Sequence, residues 1–297
     1  MPKLSPPMKR IFAPLLAIAG LLLGVPTQAA QLKALVIDGQ NNHNWKGTTP
    51  HIVKALDGSG LFKTTVATAP AKGGDMAAFK PKFSDFDVIV SNYNGEPWSP
   101  ETKAALEAYM KNGGGFVCVH AADNSFPEWK EYNRMIGVGG WGGRTEKDGP
   151  YVRFIDGKVA KVTDPGRGGS HGQQHDFVVE IRDASHPITA GLPARWLHVK
   201  DELYDRLRGP AENLTVLATA FANPAKGGSG HQEPMLMTID YGKGRSFHTT
   251  LGHSPESMKC VGFIVTLQRG AEWAATGKVT QKIPADFPTA DKLSTRE

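Results

Sequence analysis

The chain has 297 residues, with 34 Lys and Arg against 29 Asp and Glu and only two cysteines. No dense basic run interleaved with aromatics is present, which leaves nucleic-acid binding little support. Two cysteines exclude a disulfide scaffold and a cysteine-rich zinc module, and the length suffices for one large core or a domain with insertions.

Residues 1–30 read as a secretory signal peptide. Lys3, Lys9 and Arg10 form a positive start, residues 11–25 are apolar, and Thr27-Gln28-Ala29-Ala30 offers small residues for cleavage. An uncleaved anchor is the rival, but the apolar run is short for a span and Pro14 interrupts it. No Cys follows Ala30, so a lipoprotein is not expected. Cleavage removes three basic residues and no acid, leaving 31 against 29 and a net charge of +2. The expected setting is periplasmic or secreted, with neither membrane nor nucleic acid as a partner. Cys118 and Cys260 fall in an expected central strand and an expected helix, which favours two buried thiols over a disulfide.

Residues 31–38 become apolar toward their end and predict a first strand. Gly39-Gln40-Asn41-Asn42-His43-Asn44-Trp45 follows as a polar loop. Thr48-Thr49-Pro50 then reads as the cap and first turn of a helix, with Ile52, Val53 and Leu56 as its apolar face. Strands are expected at residues 62–69 and 86–91, with a loop at 71–83 between them. A helix capped by Ser99-Pro100-Glu101 runs from residue 100 to 111. It leads into Gly113-Gly114-Gly115-Phe116-Val117-Cys118-Val119-His120, where residues 116–119 read as a buried strand and His120 stands at its carboxyl end. Ligands in open parallel sheets bind at such ends, so His120 is a site candidate; a hydrogen-bonded structural histidine is the alternative.

Beyond Asn124 the pattern loosens. Residues 127–136 look helical, and residues 137–143 (Gly-Val-Gly-Gly-Trp-Gly-Gly) suit either a flexible linker or a wall close to a ligand, with Trp141 as its flat surface. The segment from about 126 to 176 is a loop-rich insertion, and long connections of this kind are often functional. Strands resume at 176–182 and 214–219. A hairpin at 235–240 and 245–250 turns on Tyr241-Gly242-Lys243-Gly244. Residues 256–275 predict one long last helix, and residues 278–297 a polar tail along the surface. The whole is an α/β domain over residues 31–277, with a mostly parallel sheet.

At these motifs the sequence resembles the trehalose-utilisation (ThuA-like) family, a branch of the class I glutamine-amidotransferase-like superfamily, over roughly residues 33–276. The matching pieces are His43-Asn44-Trp45, residues 114–120, His186-Pro187-Ile188-Thr189-Ala190-Gly191-Leu192, Asp201-Glu202-Leu203-Tyr204, Tyr241-Gly242-Lys243-Gly244-Arg245 and Leu251-Gly252-His253. The resemblance implies a flavodoxin-like sheet with helices on both faces. It also implies that the sharp strand-to-helix turn, which holds a nucleophilic Cys in the superfamily's amidotransferases, here carries His120. Cys118 lies two residues earlier and deeper in the strand, so classical glutamine hydrolysis is not expected.

His43, His120 and His253 each end a predicted strand, and the family alignment brings Glu202 and Tyr204 to the same rim. Such a set suits a divalent ion such as Zn or Mn, or metal-free acid–base chemistry. His120 and Glu202 are assigned to acid–base work, with His43, His253 and His175 as metal ligands. His171 and His175 share an H-x-x-x-H spacing, but the glycines around them argue against a helix. Asn44, Trp45, Trp141 and Tyr204 are the expected substrate contacts, and Arg144, Lys147 and Asp148 are hydrogen-bonding candidates; for Trp98, core packing is favoured. The family's link to sugar oxidation implies an exported hydrolase, lyase or isomerase acting on a small, 3-keto glycoside. The alternatives are a non-catalytic sugar-binding protein using the same cleft and a hydrolase with Cys118 as nucleophile.

Overall fold

The first strand, β1 (Leu32–Asp38), is buried from Ala34 onward and enters helix α1 (Trp45–Gly58) through a six-residue loop. This computed structural model describes residues 1–5 and 30–297, so the signal-peptide segment lies largely outside the described residues. α1 is capped by Asn44, whose side-chain oxygen accepts the Gly47 N–H at 3.1 Å. The cap was expected at Thr48-Thr49. Those hydroxyls instead receive the Asn92 amide at 3.0 Å each, inside the protein, and Asn serves as well as Thr at a cap.

β2 (Phe62–Thr68), β3 (Val88–Ser91), α2 (Pro100–Lys111) and β4 (Gly115–Val119) follow. α2 keeps the boundaries its sequence indicates: Ser99 accepts from Thr102 N–H, Pro100 fills the first turn, and Thr102, Leu106 and Met110 form the buried stripe. Gly115 has a packing reason to be glycine. A Cβ there would stand 2.7 Å from the backbone of Ala274, so a side chain would push away the last helix.

The insertion region is more regular than expected. α3 (Lys130–Ile136) precedes a hairpin of β5 (Tyr151–Ile155) and β6 (Lys158–Val162), turned by Asp156 and Gly157 at φ 50° and 79°. Asp-Gly between alternating residues is a strong hairpin signal that the glycine-rich surroundings masked. Next come β7 (Ser170–His171), β8 (His175–Ile181), β9 (Arg195–Asp201), β10 (Tyr204–Asp205), β11 (Leu214–Phe221), β12 (Gln232–Tyr241) and β13 (Gly244–Thr249). The expected single last helix is two, α4 (Pro255–Met258) and α5 (Val261–Thr276), because Cys260 takes an extended ψ of 125° between them.

The sheet order is β2-β1-β3-β4-β13-β12-β11-β8-β9. The strands β2, β1, β3, β4 and β13 are parallel, and the sheet continues antiparallel from β12 outward. This is the flavodoxin-like α/β arrangement with a mixed edge. One face packs on α1, α4 and α5 through Ile52, Leu56, Phe263 and Leu267; the other packs on α2 and α3 through Leu106, Met110, Tyr132 and Ile136. The order places the chain's change of direction between β1 and β3, where open α/β sheets leave a crevice at their carboxyl ends.

Residues Gln31–Glu297 form one compact unit. The tail after α5 is tied down rather than merely laid on the surface. Leu197 N–H donates to Thr289 at 2.8 Å, Val261 N–H to Ser294 at 2.9 Å, and buried Phe287 packs on Trp196. Among the described residues, no helix is long and apolar enough to cross a membrane.

Candidate functional site

Three loops at the carboxyl ends of parallel strands supply the site. His43 leaves β1, His120 leaves β4, and His253 follows β13; Glu202 stands immediately after β9. One donor atom from each of His43, His120, Glu202 and His253 lies within 4.8 Å of all the others. Glu202 Oε2 is the hub, 3.1 Å from His253 Nδ1, 3.6 Å from His120 Nε2 and 3.9 Å from His43 Nε2.

Each side chain is aimed by its own backing. His120 sits at φ 46°, a left-handed conformation that non-glycine residues seldom hold and that concentrates at functional turns. Its Nδ1 lies 2.6 Å from the carbonyl of Thr250. A carbonyl only accepts, so Nδ1 carries a hydrogen and Nε2 is the ring nitrogen left to face the cluster. His43 Nε2 is met by the Tyr204 hydroxyl at 3.0 Å, and the Tyr204 ring packs on His120 at 4.0 Å between centroids.

The electrostatics fit an ion-binding pocket. Burial, helped by the neighbouring imidazoles, holds His43 down to about 4, so its ring is neutral at neutral pH. Burial alone would push Glu202 up, but His120 and His253 outweigh it and keep the carboxylate ionised well below its usual range. Glu202 in turn raises His253 against the effect of burial. His120 Nε2, Glu202 Oε2 and His253 Nδ1 are all buried without a hydrogen-bond partner, the 3.1 Å approach being misaligned for one. Buried polar atoms are nearly always satisfied, so three facing one point mark a place for a bound group.

Around the cluster stand His171, Gln174 and Trp141. His171 is 37% exposed, its Nδ1 held by the Gly172 carbonyl at 2.8 Å and its Nε2 3.7 Å from Glu202 Oε1. The Gln174 amide lies 3.0 Å from His253 Nε2. Trp141 packs on Tyr204 at 4.7 Å and, with residues 142–144 and 167–171, walls a groove of ≈ 420 Å³ that reaches His171. Gly169, at φ 85°, lets this wall close: a Cβ there would be 2.6 Å from the Trp141 backbone nitrogen. A second groove, ≈ 610 Å³, runs along Gly39–Asn42, Trp45, Lys46 and Asn94–Glu96. It meets the cluster at Asn42, whose amide lies 3.1 Å from His43 Nε2. A larger hollow of ≈ 680 Å³ beside α2 shares no residue with the cluster.

The family profile of trehalose utilisation, ThuA, matches residues 33–274. The chain belongs to the ThuA family. A crystal structure of a ThuA-like protein from Parabacteroides merdae is 48% identical, covers 90% of this chain and 98% of its own, and superposes with a TM-score of 0.88. A ThuA-like protein from Bacteroides uniformis is 20% identical over 86% of this chain and 97% of its own, with a TM-score of 0.57. A protein from Salmonella typhimurium described as cytoplasmic is 13% identical over 82% and 99%, with a TM-score of 0.50. The last two show the fold alone. No curated protein matches the chain.

This ThuA-family chain therefore brings together His43, His120, Glu202 and His253, with Tyr204 and Trp141 beside them. It does not bring in His175. That imidazole starts β8, bonds the Gln173 carbonyl at 2.8 Å and packs on Phe177. Asn44 is spent as the cap of α1, and Trp45 lines the second groove and is not among the cluster donors. Tyr204 is 1% exposed and orients His43 rather than facing a cavity. His120 is likewise 2% exposed, not an open rim residue.

Arg144 is not free for a ligand: it is buried and donates to the carbonyls of Asn124, Gly140 and Ser125 and to Asn133, anchoring the Trp141 loop. Lys147 and Asp148 line a different hollow. Trp98 packs in the core among Phe79, Tyr93 and Phe126. Cys118 and Cys260 are unpaired and buried, and burial pushes the Cys118 thiol up. Iodoacetamide is expected to leave Cys118 unmodified in folded protein; alkylation at a free-thiol rate, read by peptide mass, would revive it as a nucleophile.

Sequence reasoning missed His171 as a neighbour of Glu202, because its strand has only two residues and pairs with β10 through a long insertion. It also gave no role to His198 and His248. Both are fully buried and lie against carboxylates, His198 Nε2 at 2.8 Å from Asp201 and His248 Nε2 at 3.2 Å from Asp123. Charged residues are almost never fully buried unless paired, so the adjacent acids in Asp201-Glu202 and the Asp three residues after His120 were the available signals.

Proposed function

We propose that this ThuA-family chain is a carbohydrate-processing enzyme that binds one divalent ion, Zn or Mn, on His43, His120, Glu202 and His253. The family's trehalose-utilisation description gives the carbohydrate class. The observation that carries the metal is the set of three buried donor atoms without partners, His120 Nε2, Glu202 Oε2 and His253 Nδ1, facing one another. Three imidazoles with one carboxylate match the ligand chemistry of these ions.

The substrate in this reading is a small 3-keto glycoside. When bound, the ion supplies positive charge where negative charge develops on the sugar's carbonyl oxygen. With all four cluster donors turned inward, proton handling falls to His171, which lines the groove with Nε2 3.7 Å from Glu202 while the Gly172 carbonyl fixes its other nitrogen. His171 takes the C2 proton made acidic by the C3 carbonyl. As the aglycone C1–O bond breaks, a double bond forms between C1 and C2 and the departing oxygen takes up a proton. Trp141 offers a flat apolar face for the ring, and the Trp45 groove lies beyond Asn42. Export to the periplasm or medium is supported by the N-terminal sequence pattern.

The decisive experiment is a metal-resolved turnover assay. Purified protein freed of metal by chelation is expected to be inactive on 3-keto glycosides and to recover on adding one equivalent of Zn or Mn. Full activity of demonstrably metal-free protein would remove the ion. Unchanged keto glycosides with every metal, despite tight binding, would leave a sugar-binding protein.

A further inference from the structure

We infer that Asp201, buried behind the cluster, is a positioning residue that sets two of the four donors in place before any ion arrives; this rests on the metal reading above. Asp201 is 0% exposed. Its Oδ1 accepts the backbone N–H of Glu202 at 2.9 Å and that of His253 at 3.0 Å. Its Oδ2 accepts the Gly252 N–H at 2.8 Å and lies 2.8 Å from His198 Nε2. One carboxylate thus joins the end of β9 to the loop after β13, which lie 51 residues apart in the chain for the Gly252 bond.

The consequence is geometric. Glu202 and His253 make the shortest carboxylate–imidazole approach in the cluster, Oε2 to Nδ1 at 3.1 Å, yet they follow different strands with no ladder between β9 and β13. Without a common anchor, each loop would have to be ordered by the ion itself, and that ordering subtracts from affinity. Hydrogen bonds to an ionised acceptor are stronger than neutral ones, and His198 balances the buried charge. Outer partners of this kind typically govern metal affinity by about 10–100-fold.

The conservative change Asp201→Asn is the sharp probe. An amide has one acceptor oxygen, so two of the four donors would meet an NH2 group. Zinc titration against a chromophoric chelator is expected to show affinity about 10–100-fold weaker, alongside a near-ultraviolet circular dichroism spectrum like that of the unaltered chain. A folded Asp201→Asn protein with unchanged zinc affinity would overturn the inference. If that variant fails to fold, amide hydrogen exchange of the unaltered, metal-free chain decides. The Glu202, Gly252 and His253 amides are expected to exchange slowly without zinc, and fast exchange at all three would overturn it. An unaltered chain that binds no zinc would sink the metal reading instead, and the exchange experiment would still report on Asp201.

Discussion

Glu202→Gln will remove both metal and turnover, whereas His171→Ala will remove turnover and leave the metal. Glu202 is the hub of the cluster and its only anionic member. Replacing it by a neutral amide keeps the shape but takes away the charge that holds a cation among three imidazoles, so zinc affinity should fall by more than the ~10–100-fold that follows loss of an outer partner. His171 stands 3.7 Å from Glu202 but has its Nδ1 tied to Gly172 and its ring 37% exposed. Its removal should cost about 10²–10⁴ in kcat, the usual share of a general acid or base, with zinc binding within a few-fold of normal. Parallel zinc titrations and steady-state kinetics on the two variants check this. Equal loss of zinc in both would put His171 inside the ligand set; full activity of His171→Ala would return proton handling to His120 and Glu202.

Much of this arrangement was legible in the sequence because it depends on short-range signals. Ser99-Pro100 fixes the start of α2, and a run of apolar residues closed by His120 at a strand's end locates the turn. Parallel strands then bring His43, His120 and His253 together without further information. What could not be read is whatever rests on long-range antiparallel pairing. β7 has two residues and meets β10 across more than thirty others, so neither hydrophobic period nor turn chemistry announces that His171 arrives beside Glu202. His175, four residues later, looked equivalent in the sequence. The pairing of β8 with β9 sets its backbone opposite Asp201, but its Nδ1 lies 2.8 Å from the Gln173 carbonyl and it is not among the cluster donors.

His120 illustrates a second limit. Its place at a strand's carboxyl end was clear, but its burial was not, because the Tyr204 ring and the Thr250 carbonyl that cover it come from distant segments. His120→Ala is therefore not expected to be innocent toward stability. It keeps the left-handed φ that only glycine adopts freely and leaves a buried space where an imidazole packed.

Raising the pH from about 6.5 to 10 will lower the stability of the folded chain, and His248 will carry a large part of the loss. His248 is fully buried on β13, with Nδ1 2.9 Å from the Ile136 carbonyl and Nε2 3.2 Å from Asp123. Both partners only accept, so the ring holds two hydrogens and is a cation. Burial opposes that charge, but the Cys118 sulfur and the Asp123 carboxylate beside it prevail and hold the group up to about 10. His198, beside Cys260 and Asp201, is likewise held up to about 10. An unfolded histidine titrates near 6.5, so between these values the folded state keeps protons that the unfolded state has lost. The stabilisation is whole below about pH 6.5 and is gone once the pH passes about 10. On the acid side, burial pushes Asp201 up but His198 prevails and lowers it, so its contribution is whole above about pH 4 and fades as the pH falls further. The unfolding temperature should therefore decline on the alkaline side of about pH 6.5. His248→Gln should lose about 3–5 kcal/mol at pH 6, the usual cost of removing one partner from a buried pair, or roughly 10 °C of Tm for a chain of this size. Its alkaline decline should also be shallower. Thermal unfolding of both proteins at fixed ionic strength from pH 5 to 10 checks the difference: parallel curves would mean that the ring at position 248 is neutral throughout.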